Sequence, residues 1–443
     1  MLRCGFYESE ITPFLGGTIP GYNHTRVADD VKSKLFVKAL ALAADDKEMV
    51  MIAIDGLHTT PEICDGIYKR VSAMVGLTDD QILIAATHNH TAGTYKDYPE
   101  THIKDVLYTE FLIRRSADCA VLAVKGMEEA TVHYCSEKVP NIAFVRNYRM
   151  KDGSIRTNPG NMNPDIDEAI GKPDEDFPFM LFKNAKGKLI GSLCSFALHH
   201  DTVAGSAYCA DFSGILSDEL KQAYGRDFVS VFLTGFCGNV NHSNTQLPAA
   251  KWYRPTHVKV GKALFAAIWK NADWAKEIPD PSIGYVKRHL AIEQRKVSSK
   301  KLEEAKELMA FTDVDFEKIN INDPESFEFK RAKAPGLIEH AASQDQPCEY
   351  ILQVMRIGDC VIYAANGELY VEFQHYIKEN APTERNMFSS LSNGGFYGYI
   401  PTREMYEVPT LYEAQLPAAR LIKGTGERLA EELVGMAAEL LKQ

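Results

Sequence analysis

The 443-residue chain is 45% hydrophobic and 25% charged with no low-complexity tract, the composition of a globular protein with one large core or two ordinary ones. Its formal net charge of −11, with no basic run to offset it, argues against nucleic acid or an anionic membrane surface as the main partner. No stretch approaches the ~18 apolar residues of a membrane span, the opening MLRCGFYESE lacks the apolar core of a signal peptide, and the nine scattered cysteines contain no CxxC pair. The expectation is therefore a cytoplasmic protein with reduced thiols and no stable membrane insertion.

Strand-like apolar runs recur along the chain at Leu35–Ala43, Met49–Ile54, Ile82–Ala86, Phe179–Phe182, Leu189–Phe196, Val229–Leu233, Tyr350–Ile357 and Val361–Ala365. Between them lie helical patterns: Pro61–Val75 with proline in its first turn, Asp211–Tyr224, 298–311 behind Ser298, 369–379, and 426–441 behind Thr425 as N-cap. The alternation predicts a mixed α/β fold of layered sheets flanked by helices. Residues 270–345 are more polar and hold Pro279, Pro281, Pro324 and Pro335, which reads as a helical excursion or lid. The sequence shows no internal repeat, so one domain spanning 1–443 is expected.

Three strands end in residues that can bind a metal. Thr87-His88-Asn89-His90 follows Ile82–Ala86, and in an extended segment His88 and His90 would face the same side. Ser195-Phe-Ala-Leu-His199-His200-Asp201 and Ala364-Ala-Asn-Gly367-Glu368 repeat the layout. Taken singly, each is equally a hydrogen-bonded turn or a helix-capping acid. Together they offer His, His and Glu, the usual ligands of catalytic zinc, at a shared site. A fourth strand, Phe228–Leu233, runs into TGFCGNVNH, where Gly235 and Gly238 permit a tight turn before Asn239, Asn241 and His242.

These segments, in this order, resemble the neutral/alkaline (non-lysosomal) ceramidase family, amidases that split N-acylsphingosine. EITPFLGGTIPGY is similar to the family's ITP…GY opening, ATHNHTAG to its THTHSGP, SFALHHDT to its FAxHPT, CGNVNH to its GDVSPN, NGELYVEF to its PGEF, and LSNGGFYGYIPTREMY to its LxNxYxxYIxTxxEY. The collinear match runs over about residues 8–435. It covers the catalytic domain alone, without the family's C-terminal β-sandwich.

The resemblance implies a zinc held by His88, His199, Glu368 and Tyr399. It implies His90 as an oxyanion-stabilising neighbour, Arg146 as a substrate-binding arginine and Tyr412 as a second active-site tyrosine. The family's nucleophilic serine falls on Asn241, its aspartate on Asn239, and the proline after its zinc histidine on His200. Without the serine, the expected chemistry is attack by a zinc-activated water, with His90 and His242 as acid/base groups. Ser243 is a displaced alternative nucleophile. The implied function is an amidase acting on an N-acyl bond of a small polar substrate. A zinc hydrolase of an ester, lactone or glycosidic bond, and a non-catalytic binding relative, are the alternatives; the oligomeric state is left open. Residues 140–170, poor in apolar side chains, are expected to wall the cleft and bring Arg146 to the substrate.

Overall fold

A computed structural model describes residues 1–98, 102–248, 256–395 and 397–442. Its largest element is a nine-stranded sheet. In spatial order its strands are Val229–Thr234, Leu189–Phe196, Asp176–Asn184, Glu128–Lys138, Leu2–Glu10, Phe36–Ala44, Lys47–Ile54 and Ile82–Ala86, with Lys276–Glu277 beside the fourth. A four-stranded sheet is ordered Ile283–Ile292, Cys348–Ile357, Cys360–Ala365, Asn386–Ser389.

The two sheets face each other across a shared core. Leu40, Leu42, Met51, Leu83, Leu193 and Val231 of the large sheet meet Met355, Ile357, Ile362 and Met387 of the small one. Residues of opposite parity on the same strands point the other way. Val37, Ala39, Val50, Ile52 and Ile84 pack under helices α1 (Pro61–Val75) and α2 (Val106–Lys125). Phe177, Phe179, Cys194 and Phe232 pack under α3 (Asp211–Tyr224) and α4 (His257–Asn271). After α5 (Ser299–Leu308) and α6 (Phe327–Ser343) come α7 (Val371–Asn380) and α8 (Thr425–Leu440), which cover the outer face of the small sheet. The result is helices, sheet, sheet, helices. Burial on both faces explains why these strands read as continuous apolar runs rather than alternating ones.

The topology repeats three times. Each unit has three antiparallel strands, a helix, a strand parallel to the third, and a second helix. The first unit is Leu2–Glu10, Phe36–Ala44, Lys47–Ile54, α1, Ile82–Ala86, α2. The second is Glu128–Lys138, Asp176–Asn184, Leu189–Phe196, α3, Val229–Thr234, α4. The third is Ile283–Ile292, Cys348–Ile357, Cys360–Ala365, α7, Asn386–Ser389, α8. The first two join edge to edge through Arg3↔Glu129 and Cys4↔Glu128, which makes the large sheet mirror itself in strand order. No repeat was expected from the sequence, because only the connectivity is shared.

Two further expectations change. Residues 283–292 of the polar excursion are a strand, half-buried and rich in Lys287, Arg288 and His289, so the helical part begins only at Ser299. Gly424, left-handed at φ 87°, caps α8, while Thr425 opens it and donates its hydroxyl to the Ile422 carbonyl.

Candidate active site at the strand ends

His88 leaves its strand in a left-handed conformation, φ 64°, rather than extended. The neighbouring backbone holds it there: Thr87 N donates to Ile54 O at 2.9 Å and Asn89 N to Gly56 O at 2.8 Å. A non-glycine residue in this region stores strain that the surrounding hydrogen bonds must sustain. His90 still turns to the same side, and its N–H reaches His200 O at 3.0 Å, tying the two histidine segments together.

The ring orientations follow from backbone carbonyls. His88 Nδ1 donates to Leu57 O at 2.8 Å and His199 Nδ1 to Val240 O at 2.9 Å. A carbonyl only accepts, so each proton sits on Nδ1 and each Nε2 is left with its lone pair facing inward. His88 Nε2 lies 3.4 Å and His199 Nε2 3.1 Å from Glu368 Oε2, and His90 Nε2 lies 3.4 Å from His88 Nε2. All four side chains are buried. Burial pushes the His199 imidazole down to about 4 and His90 well below its ordinary value, so both rings are neutral at pH 7. Burial alone would raise the Glu368 carboxyl, but the adjoining His88 and His199 imidazoles outweigh it and hold it well below the ordinary carboxylate range.

Ligand atoms of His88, His90 and His199 lie within 4.8 Å of one another. Imidazoles around one carboxylate, with the outer nitrogens of His88 and His199 already committed to carbonyls, form a donor set that suits a metal cation. His90 Nδ1 is buried without a hydrogen-bond partner.

Tyr399 arrives beside Glu368 through a two-residue parallel ladder, Glu368↔Tyr399 and Leu369↔Ile400. Burial, followed by the Glu368 charge, raises its phenol well above the ordinary range; the facing Arg146 opposes this. The Arg146 guanidinium sits 5.1 Å from the Tyr399 ring centre. It donates from Nε to Glu413 Oε1 at 2.7 Å and from Nη2 to Gly238 O at 2.6 Å. Tyr412 packs edge-on against Tyr399 at 5.8 Å and accepts from Lys333 Nζ at 3.4 Å.

A cavity of about 250 Å³ opens over this cluster. His88, His90, Glu368, Tyr399 and Tyr412 line it, and α6 supplies a wall through Lys333, Gly336 and Glu339. Arg146 stands behind Tyr399 rather than in the lining, and residues 144–169 fold into short strands. Asn241 and His242 do not line the cavity either. The Asn241 amide donates to Asn158 and its carbonyl oxygen accepts from Ser243 N. Asn239 accepts from Val371 N at 2.9 Å at the start of α7 and donates to Glu372.

Gly238 explains the two-glycine turn. A Cβ there would lie 2.3 Å from Glu368 O, while its N–H donates to Leu369 O at 2.8 Å. Gly238→Ala is expected to lower thermal stability by several degrees and weaken metal uptake, because the Glu368 backbone must move; a melting curve and a zinc titration measure both.

Sequence reasoning assigned no role to three residues at or behind the site, Tyr22, Arg26 and Glu413. Tyr22, at the end of the ITP…GY segment, donates to Asp201, and Arg26 lies 4.0 Å over its ring while bonding His90 O at 2.7 Å. Glu413, fully buried, is the partner that fixes Arg146, and it also accepts from Thr157 at 2.8 Å. The quoted motifs include Tyr22 without a role and stop short of Arg26 and Glu413.

Comparison with solved structures decides the fold. A neutral ceramidase from Pseudomonas aeruginosa superposes with a TM-score of 0.75 at 18% identity, covering 98% of this chain and 74% of that one. The chain has the neutral ceramidase fold. A structure described as ceramidase complexed with C2 aligns equally, with a TM-score of 0.74, 18% identity and the same coverage. No family model and no curated protein sequence matches the chain. The neutral ceramidase fold thus agrees with the family resemblance carried by the short motifs, over nearly the whole chain.

Proposed function

We propose that the chain is a zinc-dependent hydrolase that cleaves an N-acyl amide bond of a small polar substrate. The observation that carries this is the buried convergence of His88 and His199 on Glu368, beside a cavity that His88 and Glu368 line, on the fold of ceramidases. In this reading those three residues and Tyr399 hold the ion. When bound, zinc supplies Lewis acidity to the scissile carbonyl and lowers the pKa of the attacking water.

The chain's own residues do the rest. His90 faces the same cavity and hydrogen-bonds the developing oxyanion. Arg146 keeps Tyr399 in place from behind, and Tyr412 flanks the leaving group. Asn241, at the position of the family's nucleophilic serine, is held by Asn158 and Ser243, which supports water rather than a side chain as nucleophile. His242 lies outside the lining, which makes His90 the better acid/base candidate of the two. Lys96, Lys333, Glu339 and Arg420 in the cavity lining support a substrate with polar or charged groups. Nine free cysteines, mostly buried, suit a reducing compartment such as the cytoplasm, and no helix among the described residues is long and apolar enough to cross a membrane. We take residues 1–443 as one catalytic domain.

The test is turnover by the zinc-loaded protein on matched panels of N-acyl amides, esters, lactones and glycosides. The reading predicts that amides give the highest kcat/KM and that a chelator abolishes it. Faster turnover of esters or glycosides, or chelator-insensitive amide cleavage, would overturn it.

A further inference from the structure

The cavity lining carries charge that the mechanism does not use. Lys96, Lys333 and Arg420 all line the cavity, and the acids sharing that lining beyond Glu368 are Asp97 and Glu339. Glu339 pairs with Arg420 at 3.5 Å. Asp97 is exposed and accepts from the Lys104 backbone N–H. No carboxylate among the described residues lies within ion-pair distance of Lys96 or Lys333. Each ammonium instead sits against aromatic rings, Lys96 5.6 Å from the centre of Tyr98 and Lys333 4.6 Å from that of Tyr412.

This is unusual in a chain of net charge −11, where carboxylates are plentiful. Lys96 is half-buried, and burial followed by the repulsion of Arg420 holds its ammonium below the ordinary lysine range. A desolvated ammonium without a counter-ion gains most when an anion enters beside it. The two lysines come from separate elements, the loop after His90 and helix α6, so the fold brings them to one cavity from two sides.

We infer that the substrate carries an anionic group, a carboxylate or its equivalent, which Lys96 and Lys333 bind while the scissile bond lies over His88 and Glu368. The inference rests on the hydrolase reading for its orientation, not for the anion site itself. Arg420 and Glu339, which line the same cavity, are already paired with each other. The geometry thus selects N-acylated acids over neutral amides and lipids.

Binding tests it independently of turnover. Isothermal titration of the zinc-loaded protein with N-hexanoylglycine places the anion on the amine side, and N-glutaryl-butylamine places it on the acyl side; the corresponding neutral primary amides are the controls. One of the anionic probes is expected to bind about tenfold or more tightly than its neutral counterpart, the scale of one charge-assisted hydrogen bond. The variant with Lys96→Gln and Lys333→Gln should lose that preference while keeping its melting temperature and zinc content. Single Lys→Gln variants guard against a double variant that fails to fold, since each should lose part of the preference. Equal affinity for charged and neutral probes, no binding of any probe, or a preference that survives the substitutions would overturn the inference. Selective binding without cleavage would leave the anion site standing and overturn the amidase reading instead.

Discussion

Replacing His88 with alanine should abolish zinc retention and lower kcat/KM by at least about 10³-fold, the several kcal/mol a Lewis-acid metal contributes to transition-state stabilisation. The imidazole is placed by a left-handed backbone at φ 64° and by the Leu57 carbonyl at 2.8 Å. A melting curve checks that the variant folds. Metal analysis and steady-state kinetics on one preparation check both halves. A variant that turns over substrate at the wild-type rate would mean the site is not catalytic.

Arg146→Ala should be the most destabilising single change near the site. Glu413 is fully buried, and the arginine is its ion-pair partner at 2.7 Å. Removing one member of a buried pair leaves an uncompensated charge, at a cost of about 3–5 kcal/mol. Denaturant unfolding measures this. Arg146→Lys separates stability from chemistry: the ammonium can still meet Glu413, but it cannot also reach Gly238 O and lie against Tyr399. Folding and metal content should survive, while kcat/KM falls about 10²-fold because Tyr399 loses its backing. Arg146 reaches the chemistry through Tyr399 and not through the cavity wall, so its loss should appear in kcat more than in KM. Unchanged kinetics in Arg146→Lys would reduce the arginine to a structural partner of Glu413.

Much of the fold was legible in the sequence where burial is two-sided. Ile82–Ala86 and Leu189–Phe196 begin and end where their apolar runs do, and α1 and α3 match their periodic stretches to the residue. The long strands that went unread are Leu2–Glu10, Glu128–Lys138 and Ile283–Ile292, the first strand of each repeated unit, and the four-residue strand Asn386–Ser389 was missed as well. The three long ones are half-exposed or interrupted by charge, as in EEATVHYCSEK, so their pattern lacks the density of the inner strands. Helices α2 and α4 went unread as well, and the threefold repeat leaves no trace in composition because connectivity, not residue identity, is conserved between the units.

The site divides along the same line. Residues that follow a strand end directly, such as His88, His199 and Glu368, stand out because a polar cluster interrupts an apolar run. The extended geometry expected at His88–His90 gave way to a left-handed turn, yet both rings face the cavity because hydrogen bonds to Ile54, Gly56 and His200 steer the backbone. Lys96, Lys333 and Glu413 could not be read, since nothing local distinguishes a surface lysine from one folded into a cavity, or an ordinary loop glutamate from one with no exposed surface. Those residues owe their character to helix α6 and the loop after His90 meeting over the strand ends.

Elemental analysis of the purified protein after zinc loading and exhaustive dialysis tests the central claim most directly. One zinc per wild-type chain and none retained by His199→Ala, whose ring lies 3.1 Å from Glu368, is the predicted result. Well under one zinc per folded wild-type chain, or full occupancy in the His199→Ala variant, would contradict a metal centre built from these strand ends.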